Sequence, residues 1–192
     1  MEKLLTPMFR VSFPQVFVAK AVKPGDKEKF SIVMLFDVAR IQKDPIEKKL
    51  WEDIQTAVKL CAKEEWPTGT PKTLKFVNPF RNGEEKEQFE GYGKGIVFVT
   101  ACSKTKPGLV DQNLQKIITP EDFYPGCYAR ARINPYTWSY MGKCGVSLGL
   151  QNLQKMKDGD ALGGRTRAED DFSAFEDLAE TQPANDPMGM FD

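Results

Sequence analysis

The sequence predicts a mainly β protein, a small antiparallel barrel with one inserted α-helix and a disordered acidic C-terminal tail. Three observations predict it. About five short segments are apolar or alternate apolar with polar residues, the period-two signature of strands. One stretch, opening at Asp44, instead carries apolar residues at three- and four-residue spacing. Beyond Leu153 the composition turns to glycine and then to carboxylates.

The first strand signal is Phe9, Val11 and Phe13; Pro14 interrupts it and Val16 to Ala19 resumes it, so the segment reads as one bulged strand or two short ones. Lys23 to Lys27 is a turn, and Lys29 to Asp37 is apolar on both faces, as a central strand requires. Asp44 as N-cap, Pro45 at the first helical position and Glu47 as capping-box partner then announce a helix. Its stripe is Ile46, Leu50, Ile54, Ala57, Val58 and Cys61; it runs to about Glu65, and Pro67 and Gly69 end it. Thr68 to Gly95 reads as a long, irregular and mobile excursion holding a short strand at Thr73 to Val77 and an acidic run, Glu84 to Glu90. Gly95 to Cys102 is a strand and Thr119 to Gly126 a turn. In the strand from Cys127 to Ile133 the odd positions are small or apolar, while Tyr128, Arg130 and Arg132 point the other way. Gly145 to Leu153 is the last strand. Five strands with one helix fit most economically an OB-like barrel. The expected organisation is an OB-like domain over residues 1–153, a flexible linker over 154–168 and an acidic disordered tail over 169–192.

Lys plus Arg and Asp plus Glu both total 27, so the formal net charge is zero. That zero is a cancellation between two unlike regions. From Met1 to Ala168 there are 27 basic residues against 19 acidic ones, and from Glu169 to Asp192 none against eight. Histidine is absent, which removes Ser-His and Cys-His nucleophiles, imidazole bases and histidine metal ligands. Cys61, Cys102, Cys127 and Cys144 form no C-x-x-C pair and lie in or beside apolar stretches, the pattern of reduced core thiols rather than a zinc site. No carboxylate cluster looks catalytic, so the expectation is no enzyme, no cofactor and no metal. With no signal peptide and no apolar run of membrane length, a cytoplasmic setting without membrane contact is expected.

The constellation that could carry function is aromatic and basic together. All five tyrosines lie between Tyr92 and Tyr140, and Phe123 to Tyr140 holds six of the chain's 21 aromatics. Lys94 to Leu153 has seven basic residues and three acidic ones. A cationic groove with aromatic platforms suits single-stranded nucleic acid, because phosphates need Lys or Arg and unstacked bases gain roughly 1–3 kcal/mol each on a ring. Duplex DNA offers no free base faces. The bland alternative is that Tyr128 and Trp138 cap the barrel and Arg130 and Arg132 form a solvated face. The cluster Gly91 to Gly95 lacks a phosphate-loop pattern and reads as a hinge that carries Tyr92 and Lys94. The tail is a solubilising polyanion, a peptide whose Phe172, Phe175, Met190, Phe191 and Asp192 dock on a partner, or a competitor for the protein's own groove.

Taken in order, the capped helix, the strand Tyr128-Ala-Arg-Ala-Arg132-Ile-Asn-Pro-Tyr136, the linker and the acidic tail with its terminal aromatic resemble bacteriophage single-stranded DNA-binding proteins. The resemblance spans nearly the whole chain. It implies an OB-fold that coats replication and recombination intermediates, with a tail that recruits replication or recombination proteins. The chain departs from the pattern at its end, where Asp192 follows Phe191. On this reading Tyr92, Tyr128, Tyr136, Trp138 and Tyr140 are candidate stacking residues, and Lys94, Lys104, Lys106, Arg130, Arg132 and Lys143 candidate phosphate contacts. An RNA-binding module of the same fold, and an adaptor acting through its tail, remain as alternatives; oligomeric state leaves no mark in the sequence.

Overall fold

A computed structural model describes residues 4–21 and 25–163. The tail, most of the linker and part of the Lys23–Lys27 turn lie outside the described residues. Leu4–Leu5 (β1) and Phe9–Lys20 (β2) open the chain, followed by Lys29–Asp37 (β3). Two helices, Val38–Lys43 (α1) and Pro45–Glu65 (α2), lead to the short strands Lys75–Val77 (β4) and Arg81–Asn82 (β5). Ile96–Ser103 (β6), Gly108–Val110 (β7) and the long hairpin Tyr128–Tyr140 (β8) with Lys143–Lys157 (β9) complete it.

The expected barrel is there. β2 pairs with β3, β3 with β6, β8 with β9 and β8 with β2, all antiparallel, and the parallel pairing of β6 with β9 closes the ring. Closure removes the strand edges that an open sheet would leave unpaired. β2 is one strand rather than two, and its register shifts between Ser12 and Gln15, where Phe13 takes a φ of 43° beside Pro14. Proline has no ladder donor, so the chain bulges there. The odd positions of β8, Ala129, Ala131 and Ile133, enter the core together with Phe9, Ile32, Met34, Val99 and Leu148.

Asp44 caps α2 as expected, its carboxylate accepting from the N–H groups of Ile46 and Glu47 at 2.8 and 3.2 Å. Two features of that helix differ from the sequence reading. Glu47 does not complete a capping box, because the Asp44 N–H already donates to Ile41 at the end of α1; the Glu47 carboxylate turns inward instead. Ile46 faces solvent at 70% exposure, and the helix is anchored by Trp51, whose ring lies 4.8 Å from Phe36 and 5.3 Å from Phe80. The excursion before β6 is packed against the sheet, as described below. β9 runs on to Lys157, past Leu153 where the composition changes. Among the described residues no helix is long and apolar enough to cross a membrane, and no group of three or more Cys, Asp or Glu could hold a metal ion.

Candidate nucleic-acid interface

The outer face of the barrel is set by strand alternation. Val97, Val99 and Ala101 of β6 face the core, so Phe98, Thr100 and Cys102 face out. Pairing carries that face across the sheet. Leu35, Val33 and Ser31 of β3 oppose Phe98, Thr100 and Cys102, Cys102 adjoins Gly149 of β9, and Gly149, Ser147, Gly145 and Lys143 oppose Asn134, Tyr136, Trp138 and Tyr140 of β8. The result is a continuous track four strands wide, β3, β6, β9 and β8, that ends on the β8–β9 hairpin.

At the hairpin end the floor opposite the aromatics is built from small residues. Tyr136 shares a hydrogen bond with the Ser147 hydroxyl, and burial pushes its phenol above the ordinary range, helped by the neighbouring Cys102 thiol. Trp138 lies over Gly145, where a Cβ would come within 3.3 Å of the indole; its Nε1 is buried and meets no acceptor among the described residues. Tyr140 is 72% exposed at the tip. Lys143 opposite it, and Lys104 and Lys106 on the turn after β6, are all exposed, and Lys29 is close enough to Cys102 to act on its thiol electrostatically.

At the other end of β6 the track is covered. Phe98 is buried under two cations, with Arg81 Cζ 4.9 Å and Lys86 Nζ 5.1 Å from its ring centre. Tyr92 packs edge-on against Phe98 at 5.5 Å and holds Ser12 through its hydroxyl at 3.1 Å. Burial raises the Tyr92 phenol, and the Ser12 bond partly offsets it. Gly91, Gly93 and Gly95 all take positive φ, which lets this loop fold back over the sheet and leaves Lys94 exposed at its turn. Phe98 and Cys102 lie four residues, roughly 13 Å, apart along β6, so Tyr92 packed on Phe98 and Tyr136 near Cys102 mark opposite ends of one face.

The predicted site residues thus divide. Tyr136, Trp138, Tyr140 and Lys143 come together; Lys104 and Lys106 flank the same end; Tyr92 and Lys94 mark the far end. Tyr128, Arg130 and Arg132 occupy the other half of β8. There Tyr128 lies under Lys157 at 4.6 Å, Arg132 pairs in register with Leu5 and Asn152, and Arg130 donates to Glu47. Phe172, Phe175, Met190, Phe191 and Asp192 lie outside the described residues. Sequence reasoning missed Phe98, Thr100 and Cys102 as one face of β6, and with them Arg81, Lys86 and Lys29. Thr100 alone marks that face in the sequence, because both sides of the run Ile96 to Cys102 are otherwise apolar.

A family model described as the ssDNA-binding protein of Enterobacter phage Enc34 matches residues 2–183. Putative protein p50 of Acyrthosiphon pisum secondary endosymbiont phage 1 is 29% identical over 180 residues, covering 88% of this chain and 90% of that one. Among solved structures, the single-stranded DNA-binding protein of bacteriophage Enc34 in complex with ssDNA superposes with a TM-score of 0.66 at 17% identity, covering 83% of this chain and 88% of that one. The single-stranded DNA-binding protein gp2.5 of bacteriophage T7 gives 0.54 at 15% identity, with 91% and 98% covered. At these identities the two structures show a shared fold.

Proposed function

Because the chain belongs to the family of the Enterobacter phage Enc34 ssDNA-binding protein, we propose that it binds single-stranded DNA without sequence specificity and without catalysis, along the outer track of β6, β9 and β8. The observation that carries this reading is the hairpin: Tyr136, Trp138 and Tyr140 share one face opposite Ser147, Gly145 and Lys143. Rings accept any base by stacking, and the small residues opposite leave the strand room to approach. Lys29, Lys104, Lys106 and Lys143 supply charge for the phosphates beside it. Lys94, Tyr128 and Arg132 contribute where the strand leaves the hairpin, with Arg130 removed from that set by its partner.

Such a protein acts in phage DNA replication and recombination, in the host cytoplasm. The tail, through Phe172, Phe175, Met190, Phe191 and Asp192, is the element that recruits replication or recombination proteins, and its eight carboxylates compete with DNA for the cationic track. Titration with poly-dT, poly-dA and duplex oligonucleotides at two salt concentrations tests the reading. Tight, steeply salt-dependent binding of both single strands is expected, and equal affinity for the duplex overturns it. A matched RNA strand bound equally well widens the substrate to single-stranded nucleic acid in general.

A further inference from the structure

Three apolar clefts lie end to end along β2. The first, of about 150 Å³, is lined by Phe13, Phe89, Tyr92, Pro125, Leu162 and Gly163. Its last two residues are where the described chain ends, and Leu162 is fixed there by an N–H bond to Pro125 O at 2.9 Å, while the Gly163 N–H donates to Glu90 at 3.2 Å. The second cleft, about 320 Å³, shares Phe13 and Pro125 with the first and adds Phe17, Lys20 and Phe123. The third, about 380 Å³, shares Phe17 with the second and is rimmed by Lys106, Lys116 and Ile118. Ile118 is 79% exposed, a large apolar side chain to leave in water at the rim of an apolar cleft. None of Lys20, Lys106 and Lys116 meets a carboxylate partner among the described residues.

We propose that residues 164–178 of the same chain occupy this track, with Phe172, Phe175 and Leu178 filling the second and third clefts. The order of charges fits one direction only. Arg165 and Arg167 come first, beside Glu90 of the first cleft; Glu169, Asp170, Asp171, Glu176 and Asp177 follow, toward Lys20 and Lys116. The length also fits. Phe172 is nine positions beyond Gly163, a contour of up to roughly 30 Å, whereas Phe13 to Phe17 along β2 is roughly 13 Å. The first anchor, Leu162, is already seated, so the rest of the segment is delivered at high effective concentration. The occupant is the chain's own segment and the site is distinct from the aromatic hairpin, so partner recruitment through Phe172 and Phe175 and competition by these carboxylates for the DNA track act only when the segment is released from the clefts.

Zero-length carbodiimide cross-linking of the full-length protein, mapped by mass spectrometry, tests this. Cross-links from Lys20 or Lys116, neither of which belongs to the DNA track, to the carboxylates of residues 169–177 are expected within one chain, shown by mixing isotope-labelled and unlabelled protein. Their yield should fall by roughly fivefold or more, the effect of losing one buried apolar side chain, both in Ile118→Asp and in Phe172→Ser/Phe175→Ser. Ile118 is too exposed for its replacement to threaten the fold, and Lys20 and Lys116 both remain in that variant. An unchanged yield would mean that charge alone attracts the segment and overturns the proposal. So would mixed-isotope products, which assign the segment to a second copy, or cross-links concentrated on Lys94, Lys104 and Lys143, which place it on the DNA track.

Discussion

Arg130 on β8 donates to Glu47 on α2 at 2.5 Å, across 83 residues of sequence. Glu47 is 3% exposed and also accepts from the Met8 N–H at 2.7 Å, with Arg40 at 3.5 Å. A buried carboxylate surrounded in this way ties α2 to β8, to α1 and to the residue just ahead of β2, and removing its partners leaves an uncompensated charge. Glu47→Ala should cost about 3 kcal/mol or more in urea unfolding, strands Arg130 without its counterion, and lowers ssDNA affinity only as far as the fold loosens. Arg130→Ala should likewise lower the urea midpoint while leaving the salt slope of ssDNA binding unchanged. A shallower slope would return Arg130 to the phosphate contacts.

Tyr136 separates stacking from hydrogen bonding. Its hydroxyl is committed to Ser147, so Tyr136→Phe should bind poly-dT nearly as wild type does. Tyr136→Ala removes the ring and should weaken binding by roughly tenfold, within the 1–3 kcal/mol expected for one base platform. Fluorescence titration of the pair decides it; equal losses would mean that the phenol oxygen, not the ring, meets the DNA.

Charge acts differently at the rim. Lys143→Ala and Lys104→Ala alter exposed side chains, so stability should stay within about 0.5 kcal/mol of wild type. If each contacts one phosphate, the slope of log affinity against log salt should become shallower by about 0.7 per lysine. Parallel slopes with lower affinity would place these lysines outside the contact.

How much of this was legible from residues alone follows from the range of each interaction. The Asp44 cap and the small-odd alternation of Cys127 to Ile133 are written within a few consecutive residues, and both stand in the structure. That Tyr136, Trp138 and Tyr140 share a face needed only the stretch to be extended, which it is. The fate of Arg130 depended on a carboxylate 83 residues away, and Glu47 itself looked local because a capping box uses that spacing. Ile46 belonged to the periodic stripe on paper, yet Trp51 is the residue that meets Phe36 and Phe80. Phe98 sat in an apolar run whose outer side could not be told from its inner side. Only the loop carrying Arg81, Lys86 and Tyr92, folded back onto the sheet, makes that side an apolar patch under cations.

Gly145 tests the closeness of the hairpin to β4. A Cβ there would lie 2.5 Å from the Val77 carbonyl oxygen and 3.3 Å from Trp138. The first contact is with backbone and cannot be relieved by a rotamer change. Gly145→Ala should therefore destabilise the protein by about 1–3 kcal/mol and weaken poly-dT binding through the displaced Trp138. Thermal melts alongside the titration check both; a wild-type melt would show that β4 moves aside at no cost.

The two raised phenols give a pH dependence whose sign is fixed. Burial lifts Tyr92 and Tyr136 above the ordinary phenol value, so in the alkaline range the folded protein holds these protons where the unfolded chain, titrating near 10, has released them. The native state then binds more protons than the unfolded one, and stability falls as pH rises. The contribution is complete below about pH 10 and is lost above it as the folded groups titrate. Tyr92→Phe isolates one of the two. At pH 8 it lacks the Ser12 hydrogen bond and should be less stable than wild type by about 0.5–1.5 kcal/mol. Between pH 10 and 11 that gap should narrow, because only wild type carries the buried phenol that must ionise. Urea midpoints for both proteins from pH 8 to 11 measure it. A gap that stays constant across the range would mean that Tyr92 ionises as readily folded as unfolded, and that the loop over Phe98 leaves its ring open to water.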